Sequence, residues 1–148
     1  MGKKEFLKWP LAVAAAVVVL RVIAERNGAP HFVSASLSVA ALTTVLAPLY
    51  FAIRIQQSKE PRPYRSLLML VFIYVVCARA MVLPTYWAAR IYGWHEPRFA
   101  GVDAPNPIIG FIALPVLTAA FWVMASMVSG GLVGSAVLAI SKRSQSSA

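Results

Sequence analysis

Four long apolar runs divide this chain, and none shows the polar–apolar alternation of a half-buried strand. The first covers about residues 9–24, the second 32–55, the third 67–92 and the fourth 108–140. The last three are long enough to cross a hydrocarbon layer as a helix and the first, at about 16 residues, comes close to it; in lipid only a helix satisfies its own backbone groups within one segment. The expected fold class is therefore all-α: a single membrane domain over 1–148, built as a bundle of four transmembrane helices. A barrel of strands is excluded by the continuity of the runs.

The breaks between runs carry turn chemistry. Asn27-Gly28-Ala29-Pro30 ends the first, a stiff connector with Pro61 and Pro63 follows the second, and Pro105-Asn106-Pro107 precedes the fourth. Pro10 suits a first helical turn, where its missing N–H has no partner to lose. Pro48, Pro84 and Pro115 fall inside runs and mark kinks. The fourth run, continued as helix for about 33 residues, would reach about 50 Å, so it is expected to tilt, bend at Pro115 and extend past the membrane.

Composition agrees. Of 148 residues, 59% are hydrophobic and 13% charged, far from the balance of a water-soluble domain. Four spans consume nearly the whole length, so any function must sit between helices or at their ends. The formal net charge of +9 would suggest nucleic acid in a soluble protein. Here the basic residues flank the spans, where they contact anionic headgroups and set topology, so nucleic acid is not an expected partner.

Lys3, Lys4, Lys8, Arg54, Lys59, Arg62, Arg65, Lys142 and Arg143 fall on one side of the spans, against Arg26, Arg90 and Arg98 on the other. Nine against three predicts cytoplasmic N- and C-termini, and short loops with this bias suit a bacterial inner membrane. The basic start followed by an apolar run resembles a secretory signal. Arg21 interrupts the approach to the small-residue site at Val22 and Ala24, so an uncleaved signal anchor is expected.

Lipid solvates apolar helix surfaces well, so helices in a bilayer associate through small residues that allow close approach. The fourth run offers Ser126, Ser129, Gly130 and Gly134, and the second offers Ser34, Ser36, Ser38, Thr43 and Thr44. These faces are expected to meet helices of this chain or of a partner, including a homodimer through Gly130 and Gly134.

Topology leaves two charges unexplained. Arg79 lies in the middle of the third run, where a charge costs a few kcal/mol or more unless it faces the bundle interior. Arg79, Tyr86 and Arg90 share a helix face and form a polar stripe. Arg21 lies within the first run, four residues before Glu25. Either Arg21 reaches outward to pair with Glu25, or it converges with Arg79 on an anionic group. Beyond the third run, His95 and Glu96 are candidate acid and base, set among Tyr92, Trp94 and Arg98, while Tyr86, Trp87, Tyr92 and Trp94 also suit an interfacial aromatic belt.

No cofactor is expected. A haem held by His31 and His95 is the alternative, and no haem-attachment or metal-ligand spacing accompanies them. Cys77 is the only cysteine, and no nucleophile elbow, phosphate loop or paired aspartates occur. Three functions follow as expectations. The first is a non-enzymatic subunit or accessory component of a membrane assembly. The second is a binder or enzyme for an anionic or quinone-like amphiphile, with Arg21, Arg79, Tyr86, Arg90, His95 and Glu96 as ligand-binding candidates. The third is a small oligomeric transporter or channel with Arg79 near the pathway.

Overall fold

The computed structural model describes residues 3–96, 99 and 101–146, and among them it contains helices and no strands. Helix α1 spans Lys3–Arg26 and is followed by the short α2, His31–Ser36. The chain then passes through Leu37 and Ser38 into α3, Val39–Ala41, a π-helical turn at Leu42–Leu46, and α4, Ala47–Gln57. Helix α5 spans Pro63–Tyr92, and a second π turn at Ile109–Ala113 leads into α6, Leu114–Ser146. Four helices, Glu5–Arg26, Val39–Gln57, Pro63–Tyr92 and Ile109–Ser141, are long and apolar enough to cross a membrane.

Three features depart from the sequence pattern. The second run is not one helix: Ser38 is extended (φ −101°, ψ 117°), and the long helix starts only at Val39. Helix α1 begins at Lys3, so Pro10 lies inside it rather than in its first turn; the polar residues ahead of the apolar run simply continue the helix. At Pro115, the adjustment is the π turn just before it. A proline ring crowds the carbonyl four residues back and offers that carbonyl no N–H. The π turn adds a residue to the preceding turn and widens it. Trp87 Nε1 then donates to the freed carbonyl of Phe111 at 2.8 Å. Pro48 follows its own π turn at the same distance, two residues past the end.

Successive long helices run in opposite directions. At one end, the Arg54 guanidinium lies over the Phe6 ring, and Leu138 and Ser141 line a hollow with Ile55 and Tyr64. At the other, Arg26 reaches Glu96, and Arg90 reaches the loop that precedes α6. Helix α5 is central, packed against α1, α4 and α6. Its buried face, Leu67, Leu70, Val71, Tyr74, Val75 and Ala78, meets Phe51, Ala52 and Ile55 of α4 in an apolar core.

Small residues set the closeness of α6 to this core. A Cβ on Gly130 would stand 2.7 Å from the Pro48 ring and 3.3 Å from the Thr43 carbonyl oxygen. One on Gly134 would stand 2.6 Å from Leu67 Cδ2. Both glycines therefore lie against helices of their own chain, a face that a homodimer through them would have to share.

Candidate functional site

The polar interior is organised around Thr43, in the first π turn. Its hydroxyl lies 3.0 Å from the Val39 carbonyl and 3.1 Å from that of Ala40, so its proton is directed back into its own helix. The oxygen is left as an acceptor. It receives Arg79 Nη2 at 3.4 Å and faces Ser126 Oγ at 3.1 Å, which makes Ser126 the donor in that pair. Three helices are thus tied through one hydroxyl.

Arg79 is 9% exposed, with Tyr74 and Tyr86 also close to it. Its guanidinium lies over the Trp122 ring at 4.9 Å, and its Nε has no hydrogen-bond partner among the described residues. No carboxylate among the described residues forms an ion pair with it. Among the described residues Glu25 pairs with Arg21, Glu96 with Arg26, and Asp103 with His95. Arg79 is therefore a buried cation that no described carboxylate neutralises.

Arg79 forms part of the wall of a cavity of about 370 Å³ between α1, α3, α5 and α6. Arg21, Ser38, Tyr86, Thr118 and Trp122 also contribute to it. The two intramembrane arginines expected from the sequence thus share one cavity. Arg21 pairs with Glu25, its Nε donating to Glu25 Oε1 at 2.9 Å, and it also lines this space. Next to Arg79, towards the connector between α4 and α5, the side chains of Phe51, Val71, Tyr74 and Val75 are buried.

The rest of the expected polar stripe lies elsewhere. Arg90, three turns beyond Arg79, donates from Nη1 to the carbonyls of Gly101 and, at 3.1 Å, Val102, and from Nη2 to Ala104 at 2.9 Å. It also stacks over Phe111 at 5.0 Å. Its fork is filled by backbone, and it fixes the loop rather than lining the cavity. Gly110 makes room for that guanidinium, since a Cβ there would collide with it.

His95 and Glu96 sit in that end loop and are not among the residues lining the cavity. His95 Nε2 lies 3.2 Å from Asp103 Oδ1, both exposed, and Glu96 Oε1 accepts from Arg26 Nη1 at 3.4 Å. The Arg26 guanidinium also covers Trp94, and Tyr86 packs edge-on to Phe99. The side chain of His31 is outside the described residues, so the haem alternative, which needs it, lies outside them too. Among the described residues no group of three or more metal-ligating side chains occurs.

Thr43 and Trp122 are site residues that the sequence did not single out for chemistry. Thr43 stood out only as one of several small polar residues in the second run, and Trp122 carried no signal apart from its aromatic ring. Compared with known proteins, the chain matches no family, no curated protein and no solved structure.

Proposed function

We propose that this chain crosses a bacterial inner membrane four times, with both termini cytoplasmic, and binds the polar head of an amphiphile, anionic or quinone-like, between Arg21 and Arg79. Four helices of sufficient length and the one-sided distribution of Lys and Arg support the membrane placement. The observation that carries the binding function is Arg79: a nearly buried cation without a carboxylate partner, in the wall of a cavity large enough for a ligand head group. Intramembrane ionisable residues are costly and mark ligand or ion sites.

The closed core beneath the cavity favours binding over passage. A transport pathway would need to continue through the layer of Phe51, Val71, Tyr74 and Val75. The subunit function has no feature of its own in the fold, because the exposed apolar face of α6 at Phe121, Met124, Val128 and Leu132 is equally suited to bilayer lipid.

Native mass spectrometry of the full-length protein, gently solubilised from its own membranes, tests this. The wild type should carry a bound amphiphile, and Arg79→Ala should lose it while the helical signal persists. A wild-type protein that is ligand-free and thermally indifferent to added lipids and quinones overturns the proposal.

A further inference from the structure

The break in the second run has no role in spanning a membrane, since the helix Val39–Gln57 is long enough alone. Its effect is to bring a helix start to the cavity. Ser38, Val39 and Ala40 all line the space that Arg79 lines. The first hydrogen bond of the long helix is donated by Leu42 N, to the Ser38 carbonyl at 3.3 Å. The N–H groups of Val39, Ala40 and Ala41 therefore precede the helical ladder and have no acceptor within it. Ser38 makes no side-chain cap to them. Uncapped N–H groups and the positive end of the helix dipole favour an anion.

Resting on the binding function above, we infer that the head group is an oxyanion, a carboxylate or phosphate, bridging Arg79 and the first turn of the Val39–Gln57 helix. Two independent features point at the same space. One is the helix start; the other is Arg79, more than nine-tenths buried, with an unpartnered Nε and only neutral neighbours: the Thr43 hydroxyl, the Trp122 ring, Tyr74 and Tyr86. Every charged or polar group facing the cavity is cationic or neutral, and the Arg21 charge is already matched by Glu25. A quinone carbonyl accepts hydrogen bonds but brings no charge, so it would leave Arg79 unneutralised in a low-dielectric interior. An oxyanion supplies the missing charge and has lone pairs enough for a guanidinium and backbone N–H groups together. Broken helices whose half-helix starts face an anionic group are an established solution inside membranes.

The test measures binding to the purified full-length protein by calorimetry and thermal shift, with palmitate, hexadecyl phosphate, hexadecanol, decylubiquinone and inorganic phosphate as probes. Palmitate and hexadecyl phosphate should bind, with hexadecanol and decylubiquinone at least about tenfold weaker. Arg79→Gln should abolish the preference for the charged probes. Val39→Pro removes one N–H at a position where the helix does not use it, and Ser38 already has the extended geometry that a residue before proline adopts. It should weaken oxyanion binding about tenfold relative to Val39→Ala, which loses the same side chain but keeps the N–H.

Alcohol or quinone binding as tight as palmitate overturns the oxyanion inference and leaves the amphiphile function standing. Equal binding by Val39→Pro and Val39→Ala overturns the part assigned to the helix start. Inorganic phosphate binding as tightly as hexadecyl phosphate supports the oxyanion and removes the amphiphile. Failure of every probe overturns both.

Discussion

Arg79 and Ser126 are joined through one atom, the hydroxyl oxygen of Thr43, which lies 3.4 Å from Nη2 of the arginine and 3.1 Å from Oγ of the serine. The arrangement works because Thr43 sends its own proton to the carbonyls of Val39 or Ala40. Thr43→Val keeps the shape and removes the acceptor, leaving two buried donors without a partner. It should lower stability by about 1–3 kcal/mol. Ser126→Ala removes a donor and leaves the acceptor partly served by Arg79, so it should cost about 0.5–1.5 kcal/mol. The double variant should cost clearly less than the sum, since both changes break the same link. Thermal unfolding in mild detergent reads all three, and strict additivity would argue against the shared hydroxyl.

The glycines of α6 differ in what they face. The Gly130 neighbour is the Pro48 ring, fixed to the backbone, whereas the Gly134 neighbour is the flexible end of Leu67. Gly130→Ala should therefore destabilise more than Gly134→Ala, within the range of about 1–3 kcal/mol for overpacked cores. Gly131→Ala meets Leu68 Cδ2 at 3.3 Å, on a less buried face, and the gain in helix propensity of about 1 kcal/mol should offset most of that strain. Unfolding midpoints in the order Gly131→Ala, Gly134→Ala, Gly130→Ala, highest first, are expected.

Arg90 holds the loop before α6 through three carbonyls, a task that uses both ends of its fork. Arg90→Lys keeps the charge but offers a single point, and should release at least one of these charged hydrogen bonds, worth about 1.5–3 kcal/mol. Hydrogen exchange should show faster amide exchange in the segment 101–106, with α1 and the middle of α5 unchanged. Uniform destabilisation of all four helices would instead make Arg90 part of the bundle core.

The four helices were legible because length and unbroken apolarity suffice to specify them, and the direction of each follows from the short connectors. The break at Ser38 was not. Leu37 and Ser38 carry no glycine or proline, and an apolar run with scattered serines reads the same whether continuous or interrupted. The pairing of Arg21 with Glu25 was legible from its spacing of four residues. So was the place of Arg79 inside an apolar run, apart from the basic residues that flank the runs; its lack of a carboxylate partner among the described residues was not. The divergence of Arg90 from Arg79 was not legible: they share a helix face, but the acceptors for Arg90 are carbonyls of a loop whose course the sequence pattern does not specify. Thr43 and Trp122 reach Arg79 only through the packing of α6 and the second long helix against α5.

The up-and-down course of the helices puts the start of α1, the connector between α4 and α5 and the far part of α6 at one end of the bundle. Most Lys and Arg outside the spans belong to these same segments, so the proposed orientation makes a prediction for each of them. Reporter domains that are active only in the cytoplasm should be active when fused to either terminus. In a Cys77→Ser background, a cysteine at Asp103 should react with an impermeant maleimide added to intact cells, and one at Ser58 should react only after the membrane is opened. Both positions are exposed, so accessibility in the folded chain does not limit the reaction. Labelling at Ser58 from outside, with Asp103 protected, would reverse the orientation and put the Arg21–Arg79 cavity in the cytoplasmic half of the membrane. Opposite reporter activity at the two termini would contradict the four-span bundle itself, because an even number of crossings returns the chain to the side on which it began.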